Sequence, residues 1–274
     1  MQSDFIELEI KGKSAQHSAQ ILAKTPTSIK NQALQNISTS LKSRQDEILA
    51  ANKQDYKCGQ QNGLSETLLD RLLINTERLD TISADIENIV KLADPIGQSM
   101  DARIMPNGLQ VSRRRVPLGV IGAIYESRPN ITVEISALCL KAGNAVILRG
   151  GKEALHTNSI LAKISRDAIA DAGIPEDSIQ FIESPNHALV NHMLQMKGTI
   201  DLLIPRGGRE LINRVSKEAA MPVITGGVGV CHAYVDKSAN LESAVNIVDN
   251  AKLQRPSVCN ALDTLIIHSE IAPA

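Results

Sequence analysis

The sequence has no tryptophan, and aromatic residues make up only 2% of its 274 positions. Its interior must be packed from aliphatic side chains, and aromatic stacking platforms for single-stranded nucleic acid are excluded. A field of one sign is missing as well: 29 Lys and Arg stand against 30 Asp and Glu, a net charge of -1. Nothing in that balance attracts a phosphate backbone, so any anion must be bound locally. No apolar run reaches the length of a transmembrane helix. The start, Met1-Gln-Ser-Asp-Phe, lacks the basic-then-apolar layout of a secretory leader. The expectation is a cytoplasmic protein with neither membrane nor nucleic-acid partners.

Cysteine is sparse. Cys58, Cys139, Cys231 and Cys259 are scattered, without a CxxC pair or the density of a disulfide scaffold, which reads as reduced thiols. The histidines show no ligand spacing, and the adjacent Cys231 and His232 would point to opposite faces of a strand. No metal is expected.

What remains is an ordinary globular composition, 43% hydrophobic and 22% charged. The length suits one large domain or two smaller ones. From about Ser14 to Leu92 the pattern is helical: Ile21, Leu22, Ile29, Leu34, Ile37, Leu41, Ile48 and Leu49 recur at helix-like intervals. Ser65 is placed to cap a helix carrying Leu68, Leu69 and Leu72.

From Arg113 onward short apolar runs alternate with amphipathic helices. Expected strands are Leu118–Tyr125, Ala145–Leu148, Ile179–Ile182, Ile200–Ile204, Pro222–Ile224, Val230–Val235 and Thr264–Ile267. Being nearly all apolar rather than alternating, they read as strands covered on both faces. The fold class is α/β, a doubly wound parallel sheet behind an N-terminal helical region. Ligands of such sheets bind beyond the carboxyl ends of the strands.

Three of these strands run into paired glycines: Arg149-Gly150-Gly151-Lys152, Arg206-Gly207-Gly208 and Thr225-Gly226-Gly227-Val228-Gly229. Glycine pairs let a backbone approach a ligand and turn into a helix. Any one of them alone reads as a tight turn; three, two of them with arginine, shift the balance modestly toward a phosphate-bearing ligand. The GxGxxG fingerprint is absent, so a nucleotide would be held in another way. Arg149 and Lys152 favour NADP over NAD, since cations accommodate a 2′-phosphate. After Leu118–Tyr125 comes Glu126-Ser127-Arg128-Pro129-Asn130, where local sequence casts Asn130 as a helix N-cap. In Gln254-Arg255-Pro256-Ser257-Val258-Cys259-Asn260, Pro256 breaks a helix and leaves Cys259 in a loop beside a cation, Arg255, of the kind that stabilises a thiolate.

Together these segments resemble the aldehyde dehydrogenase superfamily and, within it, the gamma-glutamyl phosphate reductases. The resemblance rests on Arg113-Arg114-Arg115-Val116-Pro117-Leu118-Gly119-Val120, Tyr125 to Asn130, Gly143 to Lys152, Ile204 to Gly208, Pro222 to Gly227 and Gln254 to Asn260, in the family's order. It implies that Cys259 is the nucleophile and that Asn130 supplies an oxyanion-hole amide together with the nucleophile's own N–H. It places Arg149 at the adenine ribose, and Lys152 where NAD-preferring relatives carry a carboxylate. Arg206, Gly207, Gly208, Thr225, Gly226 and Gly227 fall in the cofactor-binding turns, and Arg128 and Arg255 are candidates for holding substrate phosphate or carboxylate. Ile224 stands where hydrolysing relatives have a glutamate base, and its loss suits a reductase.

The implied reaction is NADPH-dependent reduction of glutamyl 5-phosphate to glutamate 5-semialdehyde through a cysteine thioester, in proline biosynthesis. Homo-oligomers and functional coupling to glutamate 5-kinase come with it. The expected division is residues 1–254, helices and NADP-binding domain, and 255–274, the start of an incomplete catalytic domain. A chain ending there is expected to be inactive alone. The other readings are a cysteine acyltransferase or amidase, which lacks an identifiable histidine base, and a nucleotide-binding module without turnover.

Overall fold

A computed structural model describes the chain except for Met1, Gly227, Val228, Ser257 and Ala274. It opens with helices α1 (Gln2–Leu22), α2 (Thr27–Ser43), α3 (Gln45–Gln61), α4 (Glu66–Leu72) and α5 (Thr76–Lys91). Their boundaries follow capping chemistry. Ser65 Oγ accepts the Leu68 N–H at 3.4 Å, as its position predicts, and Asn75 Oδ1 accepts the Arg78 N–H at 2.8 Å. On α2, Ala33, Leu34, Ile37 and Leu41 form one buried stripe, which packs on α5 through Leu79, Ile82, Ile86 and Ile89.

An antiparallel hairpin follows, β1 (Ser99–Ile104) and β2 (Gln110–Arg114), which the apolar pattern does not announce. All its residues are exposed, so no hydrophobic alternation marks it. Its turn is nevertheless visible in Asn107-Gly108: Gly108 takes φ +83°, and its N–H donates to Met105 O at 2.8 Å.

The parallel sheet is built from β3 (Val120–Tyr125), β4 (Ala145–Arg149), β5 (Ile179–Phe181) and β6 (Leu202–Arg206), in the order β5-β4-β3-β6. Every residue of β3, β4 and β5 is buried, which is why these strands read as nearly all apolar, with Arg149 and Gln180 the polar exceptions. Helices α6 (Asn130–Lys141) and α7 (Leu155–Ala170) connect β3 to β4 and β4 to β5, and both pack on the sheet. The chain then returns through α8 (Ala188–Gln195) to lay β6 on the other side of β3. With right-handed crossovers this puts α8 on the opposite face, where α1 packs against β3, β4, β5 and α8. Strand order therefore reverses between β3 and β6, and the crevice of a doubly wound sheet opens at their carboxyl ends.

After α9 (Arg209–Glu218), the strand expected over Pro222–Ile224 shrinks to a single bridge, Val223 with Leu203. Leu203 N–H donates to Pro222 O and Ile224 N–H to Leu203 O, both at 2.9 Å, but Pro222 has no N–H to carry the ladder further.

The chain divides into two compact units, residues 1–225 and 226–274. The second holds β7 (His232–Val235), α10 (Leu241–Leu253) and β8 (Thr264–Ile267), with β7 and β8 parallel. These units follow packing, and they do not coincide with the functional division expected at 254/255, which is kept as a proposal.

A buried charge cluster ties the helical layer to α6. Lys30 Nζ, on α2, pairs with Asp94 Oδ2 at 2.5 Å and donates to Lys141 O at 3.2 Å. Lys141 Nζ in turn donates to Asn31 Oδ1 at 2.6 Å and Val90 O at 2.9 Å. Burial works to raise the Asp94 carboxyl, but hydrogen bonds from Lys30, Thr27 and the Ile96 N–H outweigh it and hold the group below its ordinary value. Such a carboxylate contributes its full stability above the unfolded value of about 4 and loses it as pH falls through the lower folded one. Replacing Asp94 by Asn is therefore expected to cost about 3 kcal/mol at pH 7, by stranding Lys30. In urea denaturation the two proteins should converge on acidification. A gap that persists undiminished at pH 2 would assign the effect to shape rather than charge.

Candidate active site

The carboxyl ends of β3, β4 and β6 lie side by side, and the segment after β3 is bonded to both neighbours. Toward β6, Glu126 N–H donates to Arg206 O at 3.1 Å, while Glu126 Oε2 accepts the Gly208 N–H at 2.9 Å. Toward β4, Glu153 Oε1 accepts both the N–H and the hydroxyl of Ser127, at 2.7 and 2.6 Å. Ser127 sits at φ +37°, a left-handed conformation that a non-glycine residue holds only when its surroundings impose it. Those two bonds to Glu153 impose it here.

Behind this rim lies a buried polar chain. Tyr125 hydroxyl and Thr132 Oγ1 are 2.6 Å apart, and Thr132 Oγ1 donates to Asn158 Oδ1 at 3.0 Å. A hydroxyl has one hydrogen, so Tyr125 is the donor to Thr132. Burial pushes the Tyr125 hydroxyl far above its ordinary value and keeps that donor protonated. Asn158 Nδ2 has no hydrogen-bond partner among the described residues, and it stands 2.2 Å from where a Cβ on Gly150 would lie. The amide of α7 thus reaches the backbone after β4, and only glycine fits between them.

The expected site residues fall as follows. Arg149 ends β4 and is buried, its guanidinium donating to Gly150 O at 3.0 Å and Pro185 O at 3.2 Å. Burial lowers its pKa, with Glu153 and Tyr125 working against that shift. Its Nε is another buried polar atom without a partner among the described residues. In this arrangement Arg149 braces the β4 and β5 loops, and Lys152 is the exposed cation of that turn. Arg206, Gly207 and Gly208 are exposed across the crevice, at the start of α9. A Cβ on Gly208 would meet nothing closer than Glu126 Oε2 at 3.8 Å, so the approach to that helix terminus is open. Exposed cations after β4 and β6 and an open glycine at the start of α9, all at the carboxyl edge of the sheet, fit an anionic nucleotide.

Asn130 corrects the local sequence reading. It is the first residue of α6 rather than its cap; Pro129 precedes it, and no side chain caps this helix among the described residues. The Asn130 amide instead donates to Glu134 Oε1, one turn on, at 2.6 Å. Arg128 is half-buried just before it. Neither Glu126, Glu153 nor Glu134 is singled out by the sequence, because their partners lie across a turn or on another strand's loop.

Thr225 and Ile224 are exposed at the end of the first unit. Gly226 opens the second and is exposed, and Gly227, expected beside it, lies outside the described residues. Within the second unit Cys259 occupies an exposed turn, as the break at Pro256 predicts, with Arg255 also exposed. The other thiols differ: Cys139 is buried in α6 and its pKa is pushed up by burial to about 12, while Cys58 is exposed on α3 and Cys231 half-exposed before β7.

Residues 7–274 match the description of the Aldehyde dehydrogenase family. Curated relatives include gamma-glutamyl phosphate reductases of Dehalococcoides mccartyi, 50% identical over 100% of this chain, and Shewanella amazonensis, 51% identical over 94% of it. The chain spans 65% and 62% of those two proteins, so less than two thirds of their length. Among solved structures, gamma-glutamyl phosphate reductase of Thermotoga maritima superposes with a TM-score of 0.89 at 41% identity, covering 98% of this chain and 64% of that one. The Saccharomyces cerevisiae enzyme of the same name gives 0.73 at 33%, covering 96% and 66%. With a family match over nearly its whole length, and with the sheet, helical region and strand-end loops that its motifs imply, the chain belongs to the aldehyde dehydrogenase family.

Proposed function

We propose that this chain is the nucleotide-binding and nucleophile-bearing part of a gamma-glutamyl phosphate reductase, converting glutamyl 5-phosphate to glutamate 5-semialdehyde and phosphate in proline biosynthesis. The observation that carries this reading is identity near one half, along the whole chain, to relatives of that name. The exposed position of Cys259 in its turn supports it.

In this reading Cys259 attacks the acyl phosphate carbonyl, and phosphate leaves as a stable anion, giving an enzyme thioester. The first oxyanion needs a preorganised donor. Asn130 spends one amide N–H on Glu134, which fixes the plane of the carboxamide, and the second is the donor assigned to the oxyanion. Ile224 keeps a carboxylate base away from the position where hydrolysing relatives activate water, so the thioester survives. Arg128 and Arg255 are assigned to the substrate's phosphate and carboxylate.

NADPH would be held by Lys152, Arg206, Gly207, Gly208, Thr225, Gly226 and Gly227, with Arg149 at the ribose, and supplies the hydride that makes the aldehyde. Cation chemistry at Lys152 sets the preference for the 2′-phosphate. The full-length protein acts as a homo-oligomer, functionally coupled to glutamate 5-kinase, and 255–274 begins its catalytic domain.

The chain by itself is expected to bind the nucleotide without turnover, so the test is reduction of NADP+ with glutamate 5-semialdehyde and phosphate by this chain completed with the remaining length of a full-length relative, alongside direct titration of the chain with NADPH and NADH. Turnover should require phosphate and fall about a thousandfold or more in Cys259→Ala. Asn130→Ala should lower kcat by about a hundredfold with little change in KM, as loss of an oxyanion donor does. Lys152→Glu should cost about tenfold in preference for NADPH over NADH, roughly 1.4 kcal/mol. Equal binding of the two nucleotides by the unaltered chain would overturn the NADP assignment. Turnover that persists in Cys259→Ala would overturn the thioester.

A further inference from the structure

Cys231 and Cys259 are far apart in sequence but held together in the second unit. The Cys231 thiol points at the backbone of Cys259, its Sγ 3.7 Å from the Cys259 carbonyl oxygen. This proximity is anchored by the main chain. Cys231 O accepts N–H groups from Asp263 at 2.9 Å and Thr264 at 3.1 Å, just before β8 pairs with β7. Cys259 lies a few residues upstream of that anchor, in an exposed turn closed by the Ala261 N–H to Val258 O bond at 3.2 Å. A short tether of this kind keeps the effective concentration of one sulfur at the other high. Disulfides join Cα atoms about 4.4–6.8 Å apart, and a sulfur already against the partner's peptide group needs only turn and rotamer adjustment to reach that range. Cys58 and Cys139 stand elsewhere, one exposed on α3 and one buried in α6.

We propose that Cys231 is a resolving cysteine, closing a reversible disulfide with Cys259 when the chain meets a peroxide. Cys259 is the more exposed thiol and reacts first. Its thiolate attacks the O–O bond, giving a sulfenic acid and releasing hydroxide. The Cys231 sulfur then displaces water from the sulfenic sulfur, and the disulfide forms. Peroxide is reduced by two electrons and the two thiols are oxidised by two. The bridge stops Cys259 short of the irreversible sulfinic state, and a dithiol restores both groups. Formation of the bridge does not depend on Cys259 acting in turnover. Its effect, a reversible loss of activity, rests on the reading of Cys259 as nucleophile.

The experiment uses the purified chain, hydrogen peroxide, alkylation of the remaining thiols and peptide mass mapping. The expected result is joint loss of the Cys231 and Cys259 thiols and a peptide pair linked through them that dithiothreitol separates. Cys231→Ser keeps a donor to the Cys259 carbonyl, and in that variant the linked pair disappears and Cys259 advances to sulfinic acid. Cys58→Ser leaves the linked pair unchanged. A parent chain in which Cys259 becomes sulfinic while Cys231 stays alkylatable overturns the proposal, as does a bridge from Cys259 to Cys58. Because the readout is the state of the sulfurs, a chain without turnover tests it equally well.

Discussion

Two carboxylates govern the carboxyl edge of the sheet. Parallel strands bond to one another through the backbone, but their outgoing loops have no such ladder, so something else must fix them. Glu126 takes the Gly208 N–H on one side, and Glu153 takes the N–H and hydroxyl of Ser127 on the other. The strained Ser127 backbone persists because of that second grip. From it the chain passes through Pro129 directly into α6, which sets where Asn130 starts and where its amide lies. Without Glu153, Ser127 would lose both of those bonds, while the Asn130 amide would keep its own to Glu134.

The polar groups beneath the edge show how such a site tolerates burial. Tyr125 and Thr132 pass one hydrogen each along a single direction toward the Asn158 carbonyl oxygen, which leaves the Asn158 Nδ2 as the unsatisfied end among the described residues. Arg149 brings a charge to the same depth and places two of its donors on loop carbonyls rather than on a carboxylate. A guanidinium left with a spare buried nitrogen is costly in a finished protein interior, and such groups are commonly answered by water or by a ligand.

Much of this was readable from the residues. β3 and β4 declare themselves because both faces are covered, so their sequences contain no polar alternation. Pro256 places Cys259 in a turn by removing a helical N–H, a purely local effect. Legibility fails where the deciding partner is distant or absent. The β1–β2 hairpin is exposed throughout and carries no hydrophobic signal, leaving only its Asn-Gly turn. Asn130 satisfies the local rule for a cap, but the backbone dictated by Ser127 and Pro129 carries it inside the helix. Glu126 and Glu153 look like surface charges, since the N–H groups they accept belong to residues brought close only by strand pairing.

The second unit differs from the first in how much it hides. Among its described residues Leu262 is the one buried side chain, whereas Val245, Ile247 and Leu253 on α10 and Leu265, Ile266 and Ile267 on β8 are exposed. The first unit, by contrast, carries a continuous aliphatic core. Opening free energy follows buried apolar contact, so the second unit is expected to open at a lower free energy than the first. Backbone amides of β7 and β8 are expected to exchange with solvent before those of β3 and β4, and Cys259 rides on the region that opens first.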